Sequence, residues 1–211
     1  MVDLNEAKFI DVEGTNTRYF EAGEGEPMLL VHGGQFGGGA GAEDWFLSFD
    51  GLAESFPVYA IDKIGQGYSD IPHCDEDYVI GVAVQHSFDF LKALDIDSPH
   101  IVGHSRGGYL AARVALEHPD MVKTIVIVDS ATLMQPTTFY KDVAERAPHF
   151  DDPKERSKYL AAANSYGTAH ITDDWVEGKL KIDDLPKYQE AAVKNAELED
   201  QFNRDLVAMQ K

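Results

Sequence analysis

The chain has 211 residues, 44% of them hydrophobic, and 37 acidic side chains against 18 basic ones leave a formal net charge of −19. That balance excludes a nucleic-acid partner, because phosphates demand a basic surface, and the length suffices for one sizeable core. No stretch approaches the ~20 apolar residues of a membrane span, no signal-like start precedes residue 30, and a single cysteine, Cys74, forbids an intrachain disulfide. The expectation is a soluble cytoplasmic protein without a membrane partner.

Lys8 to Val12 and Thr17 to Ala22 read as strands around a Gly14-Thr15-Asn16 turn, a leading hairpin. Met28 to Val31 is a buried-strand run, followed by Trp45, Phe46, Phe49, Leu52, Ala53 and Phe56 at helical spacing. Val58 to Ile61 is the next strand, and Val79 to Leu94 a helix with Val82, Phe88, Leu91 and Leu94 toward the core. His100 to Val102 is a strand, Gly108 to Glu117 a helix, and Thr124 to Val128 reads as a fully buried strand. Strands alternating with helices build a mostly parallel sheet covered on both faces, the α/β class.

After about Pro136 the composition shifts to helices without a convincing strand. Asp152-Pro153 opens one helix, Thr172 caps another, and Asp184 is expected to cap a last one carrying Leu185, Tyr188, Ala192, Leu198, Phe202, Leu206 and Met209. The chain thus divides into a core over residues 1–135 and a helical region over 136–211.

The chemistry concentrates in Gly103-His104-Ser105-Arg106-Gly107, placed between an apolar strand and a helix. A Gly-x-Ser-x-Gly turn in that setting is a nucleophile elbow. It is so tight that the flanking backbones nearly touch, leaving the serine strained and exposed at its tip. The amide of Arg106 then points at a bound carbonyl oxygen; only the backbone of Arg106 is used, so its side chain is expected to be dispensable. A second donor is the amide of Gly34, in the glycine-rich loop His32-Gly33-Gly34-Gln35-Phe36-Gly37-Gly38-Gly39 that follows a strand.

These stretches, with Asp62-Lys63-Ile64-Gly65-Gln66-Gly67-Tyr68-Ser69-Asp70, resemble the α/β-hydrolase superfamily in order and spacing over about residues 8 to 135. Within it, the glycine-rich loop and Ile171 to Lys179 look most like the meta-cleavage-product hydrolases. Those enzymes split carbon–carbon bonds in vinylogous 1,5-diketones made by aromatic ring opening. The resemblance implies an α/β-hydrolase core with an inserted helical lid over residues 136–211, lacking the C-terminal strands. It implies Ser105 as nucleophile, Gly34 and Arg106 as oxyanion donors, and Gly33, His104, Lys179 and Trp175 as substrate contacts. His104 stands where the family often has asparagine, and Lys179 where it often has arginine. Lys179 keeps the charge but loses the planar fork that grips a carboxylate twice. On this reading Lys179 projects toward Ser105.

A serine needs a base, and the base an acid to orient it. In the family these follow on later loops, and neither loop is present, so a truncated and by itself inactive hydrolase is the expectation. Its alternative is a non-catalytic ligand-binding relative. His32 reads as a brace of its loop, His86 and His118 as surface or packing residues, and His170 as a lid residue within reach of substrate. Asp129, after the strand ending at Val128, is a candidate triad acid. The rival activity is a carboxylesterase acting on small esters, whereas a serine at the elbow argues against dehalogenase or epoxide hydrolase chemistry. A small carbonyl compound is the expected partner, no cofactor or metal motif is evident, and self-association is left open.

Overall fold

The computed structural model describes residues 6–134 and 139–210. The proposed boundary between residues 135 and 136 falls outside them. The described residues form a six-stranded sheet in the order β1-β2-β4-β3-β5-β6. Its strands are β1 (Lys8–Val12), β2 (Thr15–Ala22), β3 (Met28–Val31), β4 (Val58–Ile61), β5 (His100–His104) and β6 (Thr124–Val128). β2 runs antiparallel to β1 and to β4, while the β3–β4, β3–β5 and β5–β6 pairs are parallel. The helices are α1 (Phe46–Ala53), α2 (Ile80–Ala93), α3 (Arg106–Glu117), α4 (Phe139–Arg146), α5 (Pro153–Ala163), α6 (Asp173–Asp183), α7 (Pro186–Glu197) and α8 (Glu199–Met209).

Successive side chains of a strand face opposite sides of a sheet, and β3 divides its residues accordingly. Leu29 and Val31 pack with Ile80 and Val84 of α2 and Leu110 and Val114 of α3. Met28 and Leu30 pack with Phe49 of α1, Val58 and Ala60 on the other side. Because both faces are covered, β3 reads as an unbroken apolar run. The chain leaves β3 for β4 on one side, then returns across it to β5 on the other. That reversal opens a crevice at the carboxyl ends of β3 and β5, where ligands bind in sheets of this kind.

Several sequence expectations are corrected. Val12 pairs with Thr15, so the hairpin turns through Glu13 and Gly14, both at positive φ, rather than through Gly14 to Asn16. The strand Thr124–Val128 is exposed throughout, with Val126 at 50%. An apolar run fits burial on both faces, but β6 is the sheet's outer strand among the described residues, with β5 on one side. The expected last helix is two: Pro186 starts α7 and the chain breaks helical geometry at Leu198, while Asp184 ends α6 instead of capping α7. The caps on the two earlier helices are present, Asp152 accepting from the Lys154 amide and Thr172 from that of Trp175.

His86 lies within the core, not on the surface, because Thr17 reaches it from β2. The Ile64 amide donates to its Nδ1 (3.3 Å), which leaves the proton on Nε2, facing the Thr17 hydroxyl at 2.8 Å. Burial, aided by the Lys63 charge and opposed by Asp89, pushes its pKa down to about 4. The unfolded chain therefore binds a proton here that the fold refuses. Stability should fall by about 3 kcal/mol as the pH drops from about 6.5 to about 4. Urea midpoints measured across that window should flatten in His86→Gln by the part of the slope that His86 supplies, leaving the contributions of His32, which burial also holds low, and of the carboxylates.

Candidate active site

β5 ends where α3 begins, and the turn between them carries Ser105 at φ +52°, ψ −122°. A non-glycine residue there is strained, by about 1–3 kcal/mol, and persists only if its surroundings hold it. They do. The Ser105 amide donates to the Val128 carbonyl of β6 at 2.8 Å, and its carbonyl accepts from Gly108 at 3.0 Å. A Cβ on Gly103 would meet the Gly107 carbonyl oxygen at 2.1 Å, and one on Gly107 the Val31 oxygen at 2.2 Å. Strand, turn and helix backbones thus touch with no room for a methyl group.

Gly33 lies against the elbow, its missing Cβ 3.0 Å from Ser105 Cβ and 3.2 Å from His104 Nδ1. The loop behind it is fixed from below. The Lys63 amide donates to His32 Nε2 (3.2 Å), so the ring's proton sits on Nδ1 and is donated to the Gly33 carbonyl at 2.8 Å. That pattern makes His32 a brace, and burial keeps its ring neutral. Lys63 Nζ donates to the carbonyls of Gly33 and Gly34 at 3.0 and 3.1 Å. Since a trans peptide points its N–H opposite its C=O, drawing the Gly33 carbonyl inward turns the Gly34 amide the other way. Among the described residues no backbone carbonyl of a turn or loop takes the amide of Gly34 or Arg106.

The helical region closes over the same loop. A Cβ on Gly37 would strike the α7 backbone at Ala192 at 2.3 Å, and Asp183 of α6 lies against Gly39. Lys179 is largely withdrawn from solvent, its Nζ donating to the Gly39 carbonyl (2.8 Å) and Asp44 (2.7 Å), with the Trp175 ring 4.8 Å away. Its charge is therefore engaged, where the sequence reading pictured it directed at Ser105. Trp175 also meets the ring of His170, which contacts Ser165. α8 packs against α2, where Asp205 accepts from the Gly81 amide, and its Phe202 ring meets Phe36 of the loop edge-on.

Asp129 follows β6 at φ +45° and is exposed. Among the described residues no histidine is hydrogen-bonded to it or to the Ser105 hydroxyl, and no group of three or more His, Cys, Asp or Glu could hold a metal ion. Nor is any described helix long and apolar enough to cross a membrane. The sequence reading missed Lys63, Gln66 and the side chain of Arg106. The signal available was a lysine one residue beyond the acid that ends a buried strand, a position where solvation cannot be assumed.

The model of the alpha/beta hydrolase fold family matches residues 26–180. The chain belongs to that family. Over 131 residues it is 37% identical to a 2-hydroxy-6-oxo-6-(2'-aminophenyl)hexa-2,4-dienoic acid hydrolase of Metapseudomonas resinovorans, covering 60% of this chain and 43% of that protein. It is 38% identical over 125 residues to a 2-hydroxymuconate semialdehyde hydrolase of Pseudomonas sp. (strain CF600), covering 59% and 44%. The chain spans less than half the length of these relatives in alignment. A crystal structure of a meta-cleavage product hydrolase (CumD) superposes with TM-score 0.78 at 27% identity, covering 98% of this chain and 74% of that one. The resemblance to meta-cleavage-product hydrolases thus appears in both sequence and fold.

The elbow's crowding yields a test. Gly103→Ala should destabilise the protein by about 3 kcal/mol, read as a shift in the urea midpoint. A neutral result would mean that the strand and helix backbones can part.

Proposed function

We propose that this chain carries the nucleophile and oxyanion loop of a serine-type hydrolase acting on carbonyl compounds, of the carbon–carbon bond class that cleaves ring-opened aromatic acids. The carrying observation is Ser105, held at a strained backbone conformation at the strand–helix turn with Gly33 packed against it. In this reading the Ser105 hydroxyl attacks the substrate carbonyl or activates water. The amides of Gly34 and Arg106 then stabilise the developing oxyanion. Gly33 and His104 border the reacting carbon, and α6 with Trp175 and Lys179 forms part of a lid that limits water. The names of the relatives support the substrate class.

A serine hydroxyl without a base is a weak nucleophile, and among the described residues none is bonded to Ser105. The 211-residue form is therefore expected to hydrolyse p-nitrophenyl butyrate poorly, with any residual serine-dependent rate lost in Ser105→Ala. Turnover by this form that His170→Ala abolishes would instead place the base in this chain. Asp129 would serve as triad acid only with a histidine brought beside it.

A carboxylesterase is the second reading, favoured by Lys179. A substrate carboxylate reaches that ammonium only by displacing Asp44. In an active form, Lys179→Met should raise KM for a dienoic acid about tenfold and leave a neutral ester unchanged if the acid is the true substrate. Equal effects on both substrates favour the ester.

A further inference from the structure

Between the glycine-rich loop, α2, α3 and α8 lies a cavity lined by Gln35, Phe36, Lys63, Gln66, Arg106 and Phe202 among others. Two of these are cations. Lys63 is 2% exposed, and the described hydrogen bonds of its Nζ are donated to carbonyl oxygens only. Arg106 donates from one terminal nitrogen to Gln35 Oε1 and lies 4.9 Å from the centre of the Phe202 ring. Its Nε is buried without a hydrogen-bond partner. Neither cation forms a salt bridge with a described carboxylate.

Two like charges facing one cavity in a low-dielectric interior are costly unless neutralised or paired. The two side chains differ in how they can respond. Burial and the neighbouring Arg106 charge hold the Lys63 ammonium well below its usual range, so lysine can shed its proton. Burial lowers Arg106 only to about 10, which leaves the guanidinium charged at neutral pH. An anion is what such a charge requires. The cavity that Arg106 helps to line holds a single water-sized occupant, which suits a monatomic anion or one end of a carboxylate.

We propose that this cavity is a binding site for one small monovalent anion, held by the Arg106 guanidinium through Nε with Lys63 Nζ behind it. Because Lys63 also grips the Gly33 and Gly34 carbonyls, occupancy would tighten the loop beside Ser105. The side chain of Arg106 then has a role separate from its backbone, contrary to the expectation that it is dispensable. Gly34 also lines this cavity, so the bound anion would sit beside the loop that serves the catalytic reading, but its binding needs no turnover.

The test is thermal unfolding of the purified protein in sodium chloride, bromide or formate, with sodium gluconate keeping the ionic strength constant. Chloride and bromide should raise Tm saturably by about 5 °C, and Arg106→Met should remove the effect. On a protein of charge −19, non-specific anion attraction cannot mimic a saturable response. A shift with halides alone assigns a free ion; one with formate as well assigns a carboxylate end. Crystals grown in bromide should show anomalous scattering within about 3.5 Å of Arg106 Nε, a readout that stands if Arg106→Met does not fold. No saturable shift, a shift retained in a folded Arg106→Met, or bromide in the cavity without a shift (an adventitious ion only) overturns the proposal.

Discussion

The buried carboxylate of Asp62 holds together the loops from which the site is built. It accepts from Arg18 Nε at 2.6 Å, from the Ala42 amide at 2.7 Å and from the Tyr68 amide at 2.8 Å. Its own carbonyl takes the Ser69 hydroxyl, which in turn accepts from the Arg18 amide. One residue thus ties the hairpin strand β2, the end of the glycine-rich loop and the loop after β4. Arg18 is gripped on its other side by Glu43, and the Tyr68 ring lies 4.3 Å from its guanidinium. A fully buried ion pair contributes little beyond an apolar equivalent, but removing one member strands the other, so the arrangement fixes geometry more than it adds stability.

From that anchor the position of the candidate site follows. Asp62 sets where Lys63 starts, Lys63 and His32 turn the carbonyls of Gly33 and Gly34 inward, and the loop presents its other side to Ser105. The elbow itself depends on contact between backbones, since Gly103 and Gly107 admit no side chain. α6 and α7 then press on the same loop from outside, at Gly37 and Gly39. Its glycines therefore serve two surfaces at once: Gly33 lies against the nucleophile, while Gly37, at φ +68°, lets a helix approach to backbone contact.

The alternation of strands and helices, the strand–turn–helix around Ser105 and the caps at Asp152 and Thr172 were legible in the sequence. Each is encoded locally, by apolar periodicity, by glycine at fixed spacing, or by a side chain that bonds an amide two or three residues on. The burial of Lys63 was not legible and His86 was left open between surface and packing, because both are covered by residues far along the chain. The exposure of β6 was equally hidden: Thr124 to Val128 has the composition of an inner strand, and composition does not state how many neighbours a strand has.

The sequence by itself determined the class of fold and which serine stands at the elbow, since a Gly-x-Ser-x-Gly turn between a strand and a helix admits one backbone path. Tertiary structure alone decided what the charged side chains do. Lys179, read as a substrate contact, is paired with Asp44; Arg106, read as backbone only, carries a half-buried guanidinium whose Nε is withdrawn from solvent; and Lys63 grips a loop about thirty residues earlier. Long flexible side chains reach several ångströms in directions set by packing, so their partners are fixed by which loops meet in space and not by their neighbours in the chain.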